Sequence, residues 1–217
     1  MSQTAHKFDP SILREYDIRG VVGTTVHAAD ARAIGRTFGT IVKRKGGKRV
    51  ALGYDGRLSS PELAAACIEG LTASGVDVVN IGVAATPMLY YAVYHLEADG
   101  GIQITGSHNP PDYNGFKMMM GGRALYGEDV QALAASMNGA ASAPAARPGV
   151  RRQLDLVASY IARVASGIKL ARPMKIAIDC GNGVAGAVAP ALFRALGCEV
   201  TELFCEVDGT FPNHHPD

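Results

Sequence analysis

Short apolar runs alternate with amphipathic runs along almost the whole chain, and few folds accommodate that rhythm. Ile34, Phe38, Ile41 and Val42 recur at helical spacing after Asp30, and Lys48–Tyr54 then reads as a strand. Ser60-Pro61-Glu62 starts a helix that Gly75 stops, with Leu63, Cys67, Ile68 and Leu71 on its apolar face. Val76–Ile81 is the next strand, Thr86-Pro87 opens a helix to about Leu96, and Gly101–Thr105 is a strand again. Phe116–Met120 reads as a short strand and Glu128–Asn138 as a helix. A helix from about Leu154 to Ser166, a strand at Met174–Asp179, a helix over Gly183–Leu196 and a strand at Glu199–Phe204 follow. Such alternation with short links predicts an α/β fold, a sheet with helices on both faces. Gly139–Gly149, rich in Ala, Pro and Ser, is the best boundary, dividing residues 1–146 from 147–217. The second unit is only one βαβ long and buries little by itself.

Composition narrows the function. Hydrophobic residues make up 47% of the 217, enough for a packed core. A formal net charge of +1 offers no broad basic field for nucleic acid. The basic cluster Lys43-Arg44-Lys45 with Lys48-Arg49 falls at a predicted helix end, where cations complement the dipole. Cys67, Cys180, Cys198 and Cys205 form no Cys-x-x-Cys pair, so neither zinc nor a disulfide is expected. The first residues lack the apolar core of a signal peptide, and no apolar run is long enough to span a membrane. A soluble, cytoplasmic protein is the expectation. The Met118-Met119-Met120 run reads as strand packing rather than a soft ligand surface.

Chemistry concentrates at Thr105-Gly106-Ser107-His108-Asn109-Pro110-Pro111. A buried strand runs into a tight turn, with Gly106 on one side of Ser107 and an Asn-Pro-Pro corner on the other. Glycine tolerates backbone angles that other residues avoid, and proline fixes its own. The turn thus presents a hydroxyl, with an imidazole beside it, at a strand end where α/β proteins build their sites. A serine needs a base, a metal or a fixed field to act as nucleophile. Ser107, His108 and Lys117 suit phosphoryl transfer, where positioning and charge neutralisation dominate. Such residues also dominate ordinary surface turns.

The stretch TGSHNPPDYNGFKM resembles the active-site signature of the α-D-phosphohexomutases. Glu15-Tyr16-Asp17-Ile18-Arg19-Gly20 resembles that family's first active-site turn, and Gly53-Tyr54-Asp55-Gly56-Arg57 its second strand exit. The segment from Asp208-Gly209-Thr210-Phe211 to Pro216 resembles a part of its second domain. The family branch these motifs are most similar to is bacterial phosphomannomutase/phosphoglucomutase. The resemblance implies a three-layer αβα first domain with a mixed sheet, followed by an incomplete second α/β domain of the same type. It implies that Ser107 carries a phosphate, donates it to a hexose monophosphate and recovers the other phosphate from a hexose 1,6-bisphosphate. It places Arg19 and Lys117 near the transferring group, His108 beside the loop or phosphate, Tyr16 at the cleft edge and Asn109 with the substrate-binding residues. Mg²⁺ would bind a phosphoserine oxygen of Ser107. The resembled enzymes hold that metal with an Asp-Gly-Asp-Gly-Asp-Arg loop that would lie beyond Asp217, so the chain looks like the front part of a longer enzyme, inactive alone and monomeric.

Two rival readings remain on residues alone. Gly181-Asn182-Gly183-Val184-Ala185-Gly186 fits G-x-G-x-x-G between a strand and a helix, with Glu202 about twenty residues on. That pattern suits an NAD(P)- or FAD-dependent oxidoreductase. Its place near the last residues and the acid Asp179, expected to be buried just before it, weigh toward a structural turn. The other rival is a phosphosugar-binding module without turnover. His214-His215, adjacent on an extended segment, point apart and read as structural. Asp55 and Arg57 read as a local ion pair shaping a turn, with direct substrate contact as the alternative.

Overall fold

The computed structural model describes residues 6–138 and 145–215, so residues 139–144 of the expected link, and Pro216, lie outside the description. The strands are β1 (Ile18–Val21), β2 (Arg49–Tyr54), β3 (Asp77–Val83), β4 (Gly100–Ile104), β5 (Tyr113–Met120), β6 (Arg123–Ala124), β7 (Arg151–Gln153), β8 (Lys175–Asp179) and β9 (Glu199–Leu203). The helices are α1 (Ala28–Arg44), α2 (Ser60–Ala73), α3 (Thr86–His95), α4 (Glu128–Asn138), α5 (Val157–Ser166) and α6 (Ala189–Ala195).

The first seven strands form one mixed sheet in the order β1-β5-β4-β2-β3-β7, with β6 on β5. The pairs β4–β2, β2–β3 and β3–β7 are parallel, whereas β5 runs antiparallel to both neighbours. Helices cover both faces, as the alternation predicts. One buried cluster joins Ile34 and Phe38 of α1, Leu63 and Leu71 of α2, and Leu133 of α4 to Val50, Leu52, Ile102 and Phe116 of the sheet. The other joins Met88, Leu89 and Val93 of α3, and Leu156 just before α5, to Ala51 and Met119. The methionine run is split by the strand's two-residue period: Met118 and Met120 face the first cluster and Met119 the second.

Helices α1 and α2 lie in backbone contact. A side chain at Gly35 would meet the Cys67 carbonyl at 2.2 Å, and one at Gly70 the Arg32 carbonyl at 2.1 Å. The second sheet is the parallel pair β8–β9, with α6 between its strands in sequence and most of its residues exposed.

Several expectations are corrected. Strand β1 is missing from the sequence reading because four residues carry little periodicity, and β5 begins three residues earlier than expected. Strand β7 is Arg-Arg-Gln, polar as edge strands are, and it pairs with the first sheet through Val78↔Arg151 to Asn80↔Gln153. The expected helix over 183–196 is a 3₁₀ turn at Val184–Ala187 and then α6, because Val188 leaves helical geometry just before Pro190. Ser60 does not cap α2; its hydroxyl donates to Asp55 Oδ1 at 2.6 Å instead.

Candidate active site

Strand β4 ends at Ile104, and the chain turns at once through Thr105, Gly106 and Ser107. Ser107 itself sits in the left-handed region, at φ 57°, where a non-glycine residue is strained by about 1–3 kcal/mol. Gly106 serves a different purpose from the one its residue type suggests. Its φ is ordinary, but a Cβ there would meet Arg57 Cζ at 2.4 Å. The glycine makes room for a guanidinium.

That guanidinium organises the loop. Arg57 is 1% exposed. Its Nη1 donates to the carbonyls of Pro110 (2.5 Å) and Tyr113 (3.1 Å), and its Nη2 to those of Ser107 (3.0 Å) and Asn109 (2.6 Å). Its Nε donates to Asp55 Oδ2 at 3.1 Å. Asp55 in turn accepts from the Thr105 hydroxyl at 2.7 Å and the Gly106 amide at 3.2 Å, and Thr105 Oγ1 accepts the Ser107 amide at 2.9 Å. Burial pulls Arg57 below the usual guanidinium range, and Asp55 opposes that shift. The Asp55–Arg57 pair is therefore the frame of the serine turn, well beyond a local ion pair.

The strained turn puts Ser107 at the lip of a cleft of about 660 Å³. Arg14, Glu15, Tyr16, Asp17, Arg19, Ser107, His108, Asn109, Tyr113 and Lys117 line it. Antiparallel pairing brings them together across nearly a hundred residues: β1 places Arg19 opposite Gly115 of β5, and β5 places Lys117 opposite Gln103 of β4. Asp17, 3% exposed, accepts from both Lys117 Nζ (2.8 Å) and Arg19 Nη2. Arg19 Nη1 donates to Asn109 Oδ1 at 2.6 Å, while its Nε is buried without a partner. Ser107 Oγ and His108 Nδ1 are 3.3 Å apart. Tyr16 is 71% exposed at the rim.

All six residues singled out from sequence thus line one cleft. Asp17 was not among them, and Arg57 stood in the sequence chiefly as half of a local ion pair with Asp55. Asp17 stood inside a motif already quoted, but its role as a bridge between two cations depends on a strand 100 residues away. Arg57 lies outside the cleft and acts on backbone carbonyls, which no side-chain pattern announces.

The described residues include no group of three or more His, Cys, Asp or Glu that could hold a metal ion. Asp17, the buried cleft acid, is engaged by Arg19 and Lys117. These residues do not make a Mg²⁺ site by themselves, since Mg²⁺ asks for six oxygens and usually a carboxylate.

The other glycine-rich turn is filled by its own chain. Asn182, 5% exposed, donates to the Glu206 carbonyl and accepts from Asn213 Nδ2 at 2.7 Å. A Cβ at Gly186 would meet the Cys205 carbonyl at 1.9 Å, so that glycine fits a neighbouring strand exit. Asp179, read from sequence as buried, is exposed and pairs with His214 Nε2 at 3.0 Å.

Fold and cleft together define an α/β protein with a mixed, helix-covered sheet whose strand end presents one serine to arginine and lysine side chains. Residues 10–143 match the model of the phosphoglucomutase/phosphomannomutase α/β/α domain I, and residues 158–217 that of domain II. The chain belongs to the phosphoglucomutase/phosphomannomutase family. It is 53% identical over 206 residues to a phosphoglucomutase of Neisseria meningitidis, covering 95% of this chain and 45% of that protein. It is 50% identical to a phosphomannomutase/phosphoglucomutase of Pseudomonas aeruginosa over 207 residues, 95% of this chain and 44% of that one. A solved family structure from Burkholderia thailandensis superposes with a TM-score of 0.90 at 48% identity, covering 97% of this chain and 47% of that one. The chain therefore spans less than half the length of these relatives. Among the described residues no helix is long and apolar enough to cross a membrane.

Proposed function

We propose that this chain supplies the phosphate-carrying serine of a phosphohexomutase that interconverts hexose 1-phosphate and hexose 6-phosphate. Ser107 bears the phosphoryl group at rest. A free hydroxyl of the bound hexose monophosphate attacks phosphorus, the P–Oγ bond of Ser107 breaks, and hexose 1,6-bisphosphate forms. The proton of the sugar hydroxyl ends on Ser107 Oγ. After the sugar reverses, Ser107 Oγ attacks the other phosphate, that phosphate's bond to the sugar oxygen breaks, the Ser107 proton passes to the freed sugar oxygen, and the product hexose monophosphate leaves.

The single observation that carries this reading is Ser107 at the lip of a cleft holding Arg19 and Lys117, both anchored on Asp17. A guanidinium and an ammonium fixed by one buried carboxylate are pre-organised for a moving phosphoryl group and need no rearrangement as its charge shifts. His108 sits close enough to Ser107 to steady its oxygen. Tyr16 at the rim and Asn109, held by Arg19, complete the substrate side. Mg²⁺ would take one phosphoryl oxygen from Ser107; its other ligands are not among the described residues. The reading extends to a cytoplasmic, monomeric enzyme, and it expects no net turnover from residues 1–217 alone.

The test is label transfer. With phosphorus-labelled glucose 1,6-bisphosphate, the natural full-length protein should acquire one acid-stable phosphate at Ser107. Ser107→Ala should abolish both label and turnover. Label on another residue, or near-normal turnover by Ser107→Ala, sinks the assignment.

A further inference from the structure

The cysteines are scattered in sequence, yet two of them meet. Cys180 leaves β8, Cys205 lies just past β9, and their Sγ atoms are 3.4 Å apart. Parallel pairing causes this. Asp179 stands opposite Leu203, and the Cys180 amide donates to the Leu203 carbonyl at 3.1 Å, so both chains leave the sheet side by side. Both thiols are free and half-buried, whereas Cys67 and Cys198 are buried. A disulfide needs its sulfurs about 2.05 Å apart, so closure asks for little movement.

We propose that Cys180 and Cys205 form a reversible disulfide site, oxidised by a hydroperoxide. The sulfur of Cys205 attacks a peroxide oxygen and the O–O bond breaks. This gives a sulfenic acid on Cys205 and releases water or an alcohol. The Cys180 sulfur then attacks the sulfenic sulfur, the S–O bond breaks, a second water leaves with the Cys180 proton, and the S–S bond forms. Two electrons pass from the pair to the peroxide, and a dithiol reverses the reaction.

The position gives the bond something to hold. Asn182, two residues past Cys180, donates its amide to the Phe204 carbonyl at 2.8 Å. Val207 and Gly209, just beyond Cys205, rest on the turn that carries Arg57. A Cβ at Gly56 would meet Val207 Cγ1 at 2.3 Å, and one at Gly209 the Gly56 carbonyl at 2.5 Å. The Arg57 guanidinium lies 5.3 Å from the Phe211 ring centre. A disulfide would thus stiffen the strut between the β8–β9 unit and the residue that grips the serine loop.

Burial, Cys205 and the acids Asp179 and Glu202 push the Cys180 thiol up to about 12. Attack by Cys180 on the sulfenic sulfur therefore quickens as pH rises. The proposal is independent of phosphoryl transfer at Ser107.

The experiment treats the purified protein with graded hydrogen peroxide, alkylates it in denaturant and maps peptides by mass spectrometry. Expected is a linked peptide pair joined through Cys180 and Cys205, two hydrogens lighter than its parts and lost on adding dithiothreitol. Cys67 and Cys198 should stay fully alkylated at the same dose. Cys180→Ser should lose the link and leave Cys205 as a sulfenic acid that dimedone traps. A dose that oxidises either thiol without linking them overturns the proposal, and so does linkage that appears only after unfolding. The wild-type map decides even if a variant fails to fold.

Discussion

Ser107 carries backbone strain at the one position whose side chain is proposed to react, a place where strain is often stored. Ser107→Gly should therefore lose the phosphate and gain up to about 1 kcal/mol of stability, read as a higher urea midpoint with unchanged slope. No gain would mean the turn is relaxed as it stands. Arg57 is the opposite case, a residue that never faces the cleft but fixes its geometry. Arg57→Lys keeps a charge for Asp55 but cannot reach four carbonyls from one ammonium. The expected loss is about 2–4 kcal/mol, together with a lower fraction of phosphorylated Ser107 in the protein that still folds. Equilibrium unfolding and intact mass report the two separately. At the surface, the His215 carbonyl and then Asp179 raise His214, while His214 and the Gly181 amide lower Asp179. Asp179's contribution is present above its unfolded value of about 3.9 and fades as pH falls through its lower folded value. That of His214 is full below about 6.5 and fades as pH rises through its higher folded value. The link is complete from about pH 4 to 6.5. Nuclear magnetic resonance should place the His214 midpoint above the ordinary histidine value, and Asp179→Asn should lower it.

Elements explain why these residues meet. Strand β5 runs antiparallel between β1 and β4, and this single strand gathers Arg19, Lys117 and the serine turn at one sheet end. Its apolar run is buried on both faces, so the pleat divides its methionines between two cores. On one face, α1 and α2 approach closely enough that glycine alone fits at their crossing. Gly70→Ala would set a Cβ against two backbone groups of α1 that cannot swing away. The expected cost is at least about 2 kcal/mol, measured by denaturant unfolding, with the Ser107 loop unaffected. A neutral outcome would show that α1 can slide.

The described residues form two sheets of unequal solidity. The core strands β2 and β4 are buried on both faces, whereas β8 alternates exposed with partly exposed residues and β9 is exposed but for Val200. Local opening should follow that difference. Hydrogen exchange of the native protein should find Leu52 and Ile102 amides protected by the full unfolding free energy, and those of Ile176 and Val200 exchanging orders of magnitude sooner. Equal protection would mean that the two sheets unfold as one unit. Between them, the Asp208–Phe211 segment touches the Arg57 turn, so the smaller sheet leans on the residue that shapes the serine loop.

Much of this was legible in the sequence. Alternating periodicity specifies an α/β sheet with helices on both faces, because burial on one face or two leaves different spacings of apolar residues. The serine turn, Arg19 and Lys117 stood out because their motifs are local. Strand order, the antiparallel insertion of β5 and the edge strand Arg151–Gln153 did not, since a strand's neighbours are chosen by distant chain. For the same reason only the folded molecule shows Asp17 bridging two cations, Gly106 yielding space to Arg57, and Cys180 beside Cys205. Each is a contact between segments far apart in sequence, and local chemistry carries no record of which distant segment will arrive.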